Sequence, residues 1–205
     1  MRTPSFHLAL GTALILCLSS CFSAGAKNTV VYTPRASLQT ANNGTAVTWQ
    51  VRIDVPQSSD FLDSPRIAVR RENTLQVFKA ARWSDSVPDL LQSTLGQYFN
   101  DSGKITAVTG LDNNTASDAL LLLDIRQFEA VYTDGDHSAA AMISVQAKIQ
   151  SLKTNRIIAS KSFQVSIPAE NEKIPQVMNA FNTALQQLSQ DILAWALTAD
   201  VAIKK

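Results

Sequence analysis

Hydrophobic and polar residues alternate in several stretches of the chain, which is typical of β-strands with one buried face. Residues 47–54 show this alternation clearly. Their apolar side consists of Val47, Trp49, Val51 and Ile53. Residues 66–71 and 75–79 predict two further strands, and the turn at Glu72-Asn73 between them predicts a hairpin. Another short strand is predicted over residues 105–108.

Three longer alternating segments follow one another in the second half of the chain. They cover residues 120–132, 142–152 and 157–167, and polar turns separate them. Short turns between consecutive strands predict a three-stranded antiparallel meander with one polar face. The alternation of the first segment slips near Gln127, which indicates a β-bulge.

Two segments have the spacing of an amphipathic helix. The first begins after Ser84-Asp85-Ser86, whose side chains can cap it, and ends at residues 100–103. The apolar residues of the second are Ile174, Met178, Phe181, Leu185, Leu188, Ile192 and Trp195. Their alternating steps of four and three also occur in coiled coils, but about three heptads beside an uncovered sheet favour packing in the core.

The order of these elements predicts an α/β fold in a single domain over residues 30–205. The expected architecture is a mixed, mostly antiparallel β-sheet with two main helices packed on it. No linker rich in Pro, Gly or Ser divides this stretch into two cores.

The N-terminus has the organisation of a secretory signal. Arg2 precedes an apolar run over residues 8–18, which is too short to span a membrane. The segment Leu18-Ser19-Ser20-Cys21 resembles the lipobox of bacterial lipoproteins. The resemblance implies that a lipid is attached to the thiol of Cys21. The alternative is an ordinary secretory signal with a chance cysteine.

We therefore expect a signal peptide over residues 1–20 and a lipidated tether over residues 21–29. Several acyl chains on one cysteine anchor a protein stably in a bilayer. Phe22 occupies the position at which an aspartate usually retains a lipoprotein in the inner membrane of enteric-type bacteria. The expected location is the cell envelope of a Gram-negative bacterium, at the inner leaflet of the outer membrane and facing the periplasm.

Charge and cysteine content narrow the class of protein. The 205 residues carry a formal net charge of +1, and removal of the signal peptide leaves 17 basic and 17 acidic side chains. A neutral domain has no general electrostatic attraction for nucleic acid. It also has no excess of positive charge to hold it on a bilayer, so its attachment is expected to depend on the attached lipid. Two cysteines exclude a disulfide-dense scaffold and a four-thiolate zinc site.

Few residues of the expected mature chain are candidates for catalysis or metal binding. His137 is its only histidine, and the sequence contains no Gly-rich phosphate-binding loop. Asp134 and Asp136 lie beside His137, but a solvated hairpin turn is a simpler interpretation than a metal site. The same applies to Asp60 and Asp63, which flank another turn. We predict no catalytic residue, metal or cofactor, and we expect that the protein is not an enzyme.

A local excess of basic residues is the main candidate for an interaction site. Its members are Arg66, Arg70, Arg71, Lys79 and Arg82. If the two strands of the hairpin pair, some of these side chains share one face and can contact an acidic partner or a lipid phosphate. The alternative is an ordinary solvated face. Trp83 is predicted to be a core residue near the helix start and not a stacking residue for a ligand.

Three segments, taken in order, resemble the ABC-type transport auxiliary lipoprotein family. These segments are residues 49–56, 61–70 and 81–91. The family's leucine–aspartate–x–proline motif matches Leu62-Asp63-Ser64-Pro65, and its arginine–tryptophan pair before a helix matches Arg82-Trp83. The resemblance is specific over residues 48–99 and extends loosely over most of residues 30–200.

The resemblance implies a fold similar to the N-terminal domain of TolB and to anticodon-binding domains. It also implies a non-enzymatic auxiliary role in ABC-type transport of lipids or hydrophobic compounds, with docking on a periplasmic Mce-domain protein. Two alternatives are a carrier domain that binds lipid directly in a groove between sheet and helix, and a structural lipoprotein that assembles as a homo-oligomeric ring. The usual tyrosine–leucine–proline-like start of the family reads Val31-Tyr32-Thr33-Pro34 here.

Overall fold

Eight strands and two helices follow one another in the computed structural model, which describes residues 28–38, 44–109, 116–133 and 139–201. The strands are β1 (Val30–Tyr32), β2 (Val47–Ile53), β3 (Arg66–Arg71), β4 (Thr74–Trp83), β5 (Ile105–Thr109), β6 (Ala119–Tyr132), β7 (Ala139–Ser151) and β8 (Arg156–Pro168). The helices are α1 (Val87–Ser102) and α2 (Ile174–Ala196). All eight strands belong to one mixed sheet, so the predicted α/β domain with two main helices is confirmed.

Strand β6 is the centre of the sheet, because three other strands pair with it. One edge pairs antiparallel with β7, which pairs antiparallel with β8. The other edge has two parallel partners, since β2 pairs with residues 119–121 and β3 with residues 129–132. Gln57 forms a bridge to Asp124 between them. The sheet therefore divides along β6 into a β2–β5 arm and a β3–β4–β1 arm.

The predicted meander and bulge are both confirmed. Strands β6, β7 and β8 form the antiparallel meander, and the register between β6 and β7 shifts between Ile125 and Gln127. Of the seven strand pairings that join the named strands, four are parallel, although the two longest are antiparallel. Alternation reports burial within one strand, so the parallel pairings between distant strands were not visible in the pattern.

The hairpin of β3 and β4 is also confirmed, but β4 is longer than the predicted strand over residues 75–79. Its register against β3 shifts between Arg66 and Ala68, which places extra β4 residues opposite β3. This irregularity interrupts the alternation of β4. The last three residues of the strand, Ala81–Trp83, pair with the short edge strand β1.

Helix α1 begins and ends at the predicted positions. Ser86 caps its N-terminus, where the Ser86 hydroxyl accepts a 3.5 Å hydrogen bond from the backbone N–H of Asp89. Gly103 ends it with a φ of 60°, which is in the left-handed region that glycine adopts without steric cost. The cap residues and the amphipathic spacing together account for the accuracy of this prediction.

Helix α2 packs on β7 and β8, which confirms the core interpretation of its apolar stripe. Phe181, Leu185, Leu188 and Ile192 are buried, and Trp195 contacts the ring of Phe163 with 5.6 Å between centroids. The two helices contact each other and cover one face of the sheet, which we call the inner face. The opposite, outer face carries the polar side of the meander.

The centre of the core is a cluster of three aromatic rings. Trp83 from β4, Phe128 from β6 and Phe181 from α2 have ring centroids 5.1–5.7 Å apart. Edge-to-face and offset arrangements of this kind add stabilisation beyond the burial of apolar area. Trp83 is fully buried, so the prediction that it is a core residue is confirmed.

Candidate functional site

The structure separates the predicted basic residues into three settings. Arg66 and Arg70 lie on the outer face of β3, whereas Arg71 is on the inner face at the end of the same strand. Arg82 is the register partner of Arg66 on β4, so these two side chains share the outer face. The expectation that some of the basic residues share a face is therefore confirmed, and each setting has different chemistry.

Arg70 forms a bidentate ion pair with Glu129. Its Nε donates to one carboxylate oxygen at 2.6 Å and its Nη2 to the other at 3.0 Å. Glu129 is only 3% exposed and also accepts a 3.2 Å hydrogen bond from Gln127. The hydrogen bonds to Glu129 raise the pKa of Arg70, burial acts in the opposite direction, and the charge of Glu129 raises it further. Arg70 thus has its charge partner within the same domain.

Sequence reasoning missed Glu129, although a signal for it was present. The bulge at Gln127 changes which residues of β6 face outward, and Glu129 then falls on the outer face beside β3. A carboxylate on a mostly apolar strand needs a partner when it is buried. The parallel pairing of β3 with β6, which supplies Arg70 as that partner, could not be read from the local pattern.

Arg71 covers the ring of Tyr132, with its Cζ atom 4.1 Å from the ring centroid. The two residues are register partners in the parallel pairing of β3 and β6. Burial raises the pKa of Tyr132, the charge of Arg71 lowers it in part, and the charge of Glu172 raises it. The contact is a cation–π interaction at the end of the inner face, so Arg71 also acts within the fold.

Arg66 and Arg82 have no carboxylate partner among the described residues. Unlike Arg70, neither of them lies within ion-pair distance of a described acid. Arg66 donates to the hydroxyl of Ser64 at 3.2 Å, with its Cζ 4.9 Å from the ring centroid of Phe61. Arg82 donates to the carbonyl of Trp83 at 3.3 Å. Arg66 and Arg82 are thus exposed register partners whose hydrogen bonds go to neutral groups.

The neighbour of this pair on the other side is β1. Val31 is the register partner of Arg82, so Val31, Arg82 and Arg66 form one row across β1, β4 and β3 on the outer face. Val30 and Val31 are about half exposed, at 51% and 47%. The row therefore joins two exposed cations to exposed apolar residues at the edge of the sheet.

A groove separates α1 from the β2–β5 arm. It has a volume of about 290 Å³. Its lining includes Ile53 and Val108 from the sheet and Ser93, Gly96, Gln97 and Asn100 from α1. A Cβ atom at Gly96 would meet no atom within 4 Å, so the absence of a side chain there keeps the groove open.

The other candidates of the sequence analysis form no site in the described part of the chain. Asp60 and Asp63 are exposed in the turn before β3. No group of three or more histidine, cysteine or acidic side chains is placed to hold a metal within residues 28–38, 44–109, 116–133 and 139–201. Asp134, Asp136 and His137 lie outside the described residues, as do Cys21 and the signal segment 1–20. Of the two helices α1 and α2, neither is long and apolar enough to cross a membrane.

Comparison with known proteins identifies the family. The family described as "ABC-type transport auxiliary lipoprotein component" matches residues 32–193, which is most of the chain. The chain belongs to this family. The match starts within β1 and ends within α2, so it covers both arms of the sheet, and it confirms the family that residues 48–99 indicate.

Solved structures show the same architecture. The crystal structure of protein XCC0632 from Xanthomonas campestris is 33% identical, covers 82% of this chain and 95% of that chain, and superimposes with a TM-score of 0.76. A second crystal structure, of an uncharacterized protein, is 13% identical, covers 83% of this chain and 99% of that chain, and has a TM-score of 0.63. The second likeness supports the fold alone.

A curated relative is the uncharacterized protein bll6063 of Bradyrhizobium diazoefficiens. It is 26% identical over 117 residues, which are 57% of this chain. The match spans about a third of the length of that relative, 31%. The description of the family names an auxiliary lipoprotein component of ABC-type transport.

Proposed function

We propose that this family member is a non-enzymatic adaptor in an Mce-linked ABC-type pathway for lipids or other hydrophobic compounds. In this proposal the signal peptide of residues 1–20 is removed, acyl chains on Cys21 hold the protein in the inner leaflet of the outer membrane, and the domain docks on a periplasmic Mce-domain protein. The family supports the auxiliary transport role. The anchor, the membrane and the partner are the proposed part.

The observation that carries the proposal is the position of the two ends of the sheet. The chain enters the described domain at β1, which is one edge strand, and β8 is the edge strand at the other end. Five strand spacings separate β1 from β8 through β4, β3, β6 and β7, or about 24 Å along the sheet. An anchor attached before β1 therefore leaves β8 available on the far side.

Strand β8 has the properties of a docking edge. It is 13 residues long, and β7 is its only strand partner in the described sheet. Its first residues include two exposed isoleucines, Ile157 at 48% and Ile158 at 38%. An unpaired edge of this length can accept a strand from another protein, with backbone hydrogen bonds for affinity and side-chain contacts for selectivity.

Copurification of the acylated protein with the periplasmic Mce-domain protein tests the adaptor role. We expect the two proteins to associate, and we expect Ile157→Lys to weaken the association because it places a charge at the start of the docking edge. Leu75→Lys is the matched control, since Leu75 is similarly exposed but lies on β4. No association of the wild-type protein at any salt concentration or in any detergent contradicts the proposal.

Self-association is the competing use of β8. If β8 pairs with a second copy of the chain, sedimentation of the acylated protein in detergent will report a multiple of the 22.3 kDa chain mass, reduced by the loss of the signal peptide. Ile157→Lys would then lower the sedimenting mass and leave any binding of the Mce-domain protein intact. That result would assign β8 to a homo-oligomeric ring and would require another docking surface.

The groove beside α1 favours direct lipid carriage as a second candidate function. Its volume is near the lower limit for small-molecule pockets, about 300 Å³, so it suits a single acyl chain better than a whole phospholipid. Gly96→Leu tests this role, because it fills the groove and also replaces a helical glycine by a better helix former. Native mass spectrometry that finds phospholipid on the wild type and none on Gly96→Leu supports carriage, and a lipid-free wild type contradicts it.

A further inference from the structure

The row of Val31, Arg82 and Arg66 presents two positive charges that no described carboxylate neutralises. Arg66 and Arg82 face each other directly across β3 and β4, and like charges in such a position repel. No described carboxylate lies within ion-pair distance of either one. Hydrogen bonds to Ser64 and to the carbonyl of Trp83 orient the two side chains without changing their charge.

Arg70, on the same outer face, shows how the fold neutralises an arginine. Arg70, four residues after Arg66, has a buried carboxylate that accepts two hydrogen bonds from it. Among the described residues, Glu129 lies beside Arg70 and no acid lies within ion-pair distance of Arg66 or Arg82, so this pair can accept an anion from outside the domain.

The position of the pair identifies the source of that anion. Arg82 is one strand away from β1, and eight residues lie between Cys21 and the first residue of β1, Val30. The nine steps from Cys21 to Val30 span at most about 30 Å when fully extended, so an acylated Cys21 keeps the edge at β1 within that distance of the bilayer surface. Attachment at so short a distance raises the local concentration of lipid headgroups, so a weak contact suffices.

We propose that Arg66 and Arg82 bind phosphate groups of the phospholipids in the membrane that holds the anchor, so that the edge formed by β1 and β4 is the membrane-facing side of the domain. This inference rests on the proposed anchor at Cys21. Val30 and Val31 complete the surface, because exposed apolar residues beside arginines enter the interface while the guanidinium groups remain at the phosphates. Lys79, which is also exposed on β4, adds a third cation on the same strand.

A fluorophore near the row measures the contact. Val31→Cys places a label beside Arg82, and Gln164→Cys places one on β8 at the opposite edge of the same outer face. Each acylated protein is reconstituted in vesicles of phosphatidylcholine and phosphatidylglycerol that contain a headgroup spin-labelled lipid. We expect strong quenching at residue 31 and little at residue 164, and we expect Arg66→Gln with Arg82→Gln to lower the quenching at residue 31 toward that at residue 164.

The matched control is Arg126→Gln with Lys148→Gln, which removes the same charge from exposed positions on the central strands β6 and β7. It should leave the quenching at residue 31 unchanged. Unfolding midpoints equal to that of the wild type confirm that both double variants are folded. Intact mass, measured on the same samples, reports separately whether Cys21 carries acyl chains.

Each outcome separates the two proposals. A mature chain without acyl chains overturns the anchor at Cys21. An acylated chain with equal quenching at residues 31 and 164, or with quenching at residue 31 that survives the arginine substitutions, overturns the phosphate contact alone. If those substitutions leave quenching unchanged but abolish copurification with the Mce-domain protein, the pair binds a protein carboxylate, which also overturns the phosphate contact.

Discussion

Two arginines on the outer face of strand β3 have partners of opposite charge. Arg70 meets Glu129, a carboxylate that is 3% exposed, through two hydrogen bonds. Arg66 meets Arg82, another exposed cation, four residues earlier on the same strand. The first pair satisfies a buried charge and belongs to the fold. The second pair has no described carboxylate partner. The comparison separates arginines that stabilise the domain from arginines that we propose to attach it to the membrane.

The largest expected effect is the difference in unfolding free energy between a variant without Arg70 and a variant without Arg66. Arg70→Ala leaves the buried carboxylate of Glu129 with Gln127 as its remaining side-chain donor, and removing one partner of a buried pair costs about 3 kcal/mol of unfolding free energy. Arg66→Ala removes an exposed side chain and should change that free energy by less than about 0.5 kcal/mol. Urea denaturation measures both. Equal losses from the two variants would remove the distinction between the pairs.

Removal of both partners should recover most of that loss. In the double variant Arg70→Met, Glu129→Leu, no charge remains buried, and apolar side chains of similar volume replace a buried ion pair at little net cost. We expect the double variant to lie within about 1 kcal/mol of the wild type in the same urea experiment. A loss equal to the sum of the two single substitutions would show that the pair does not act as a unit.

The stability of the domain should decrease in alkaline solution. Burial raises the pKa of Tyr98 and of Tyr132 above the ordinary value of 10.0, with a further rise from the charge of Asp191 at Tyr98. The unfolded chain therefore loses these protons first, so the stabilisation is complete below pH 10 and is lost as pH rises through the folded pKa values.

Substitution of each tyrosine measures this effect. Tyr98→Phe and Tyr132→Phe should each flatten the dependence of the unfolding free energy on pH above 10. Arg71→Gln removes the charge that lowers the pKa of Tyr132, so it should raise that pKa further and increase the part of the alkaline loss that Tyr132 causes. A slope that is the same in both phenylalanine variants and the wild type would contradict the assignment.

The smallest expected effect is a gain in stability. Arg82→Gln removes a like charge that faces Arg66, so it should stabilise the domain by about 0.3 kcal/mol at low salt. The gain should disappear at high salt, because exposed charges are then screened. Thermal unfolding at two salt concentrations measures it. A destabilised Arg82→Gln variant would mean that the domain uses this charge for its own stability.

Local patterns predicted the parts of the fold that depend on local physics. The caps of α1, the bulge near Gln127 and the stripe of α2 all follow from residues close together in the chain. Trp83 was predicted to be a core residue near the helix start, and it is fully buried. The pattern did not reveal pairings between strands that are distant in the chain. These are the parallel pairings of β2 and β3 with β6 and the pairing of β1 with the end of β4.

The candidate site shows the same limit. The basic residues from 66 to 82 were recognised from the sequence, but partners on other strands decide what the arginines do. Glu129 neutralises Arg70, Tyr132 lies under Arg71, and Val31 on the edge strand β1 lies beside Arg82. None of these partners is within 25 residues of the arginine it serves, so their proximity is a property of the sheet and not of the local sequence.

The most direct test of this account is the quenching of a fluorophore at residue 31 by headgroup spin-labelled lipid in the acylated protein. The account predicts strong quenching in the wild type, the same quenching in the control that lacks Arg126 and Lys148, and a large loss when Arg66 and Arg82 are both replaced by glutamine. Quenching at residue 31 that does not change when these two arginines are removed would contradict it.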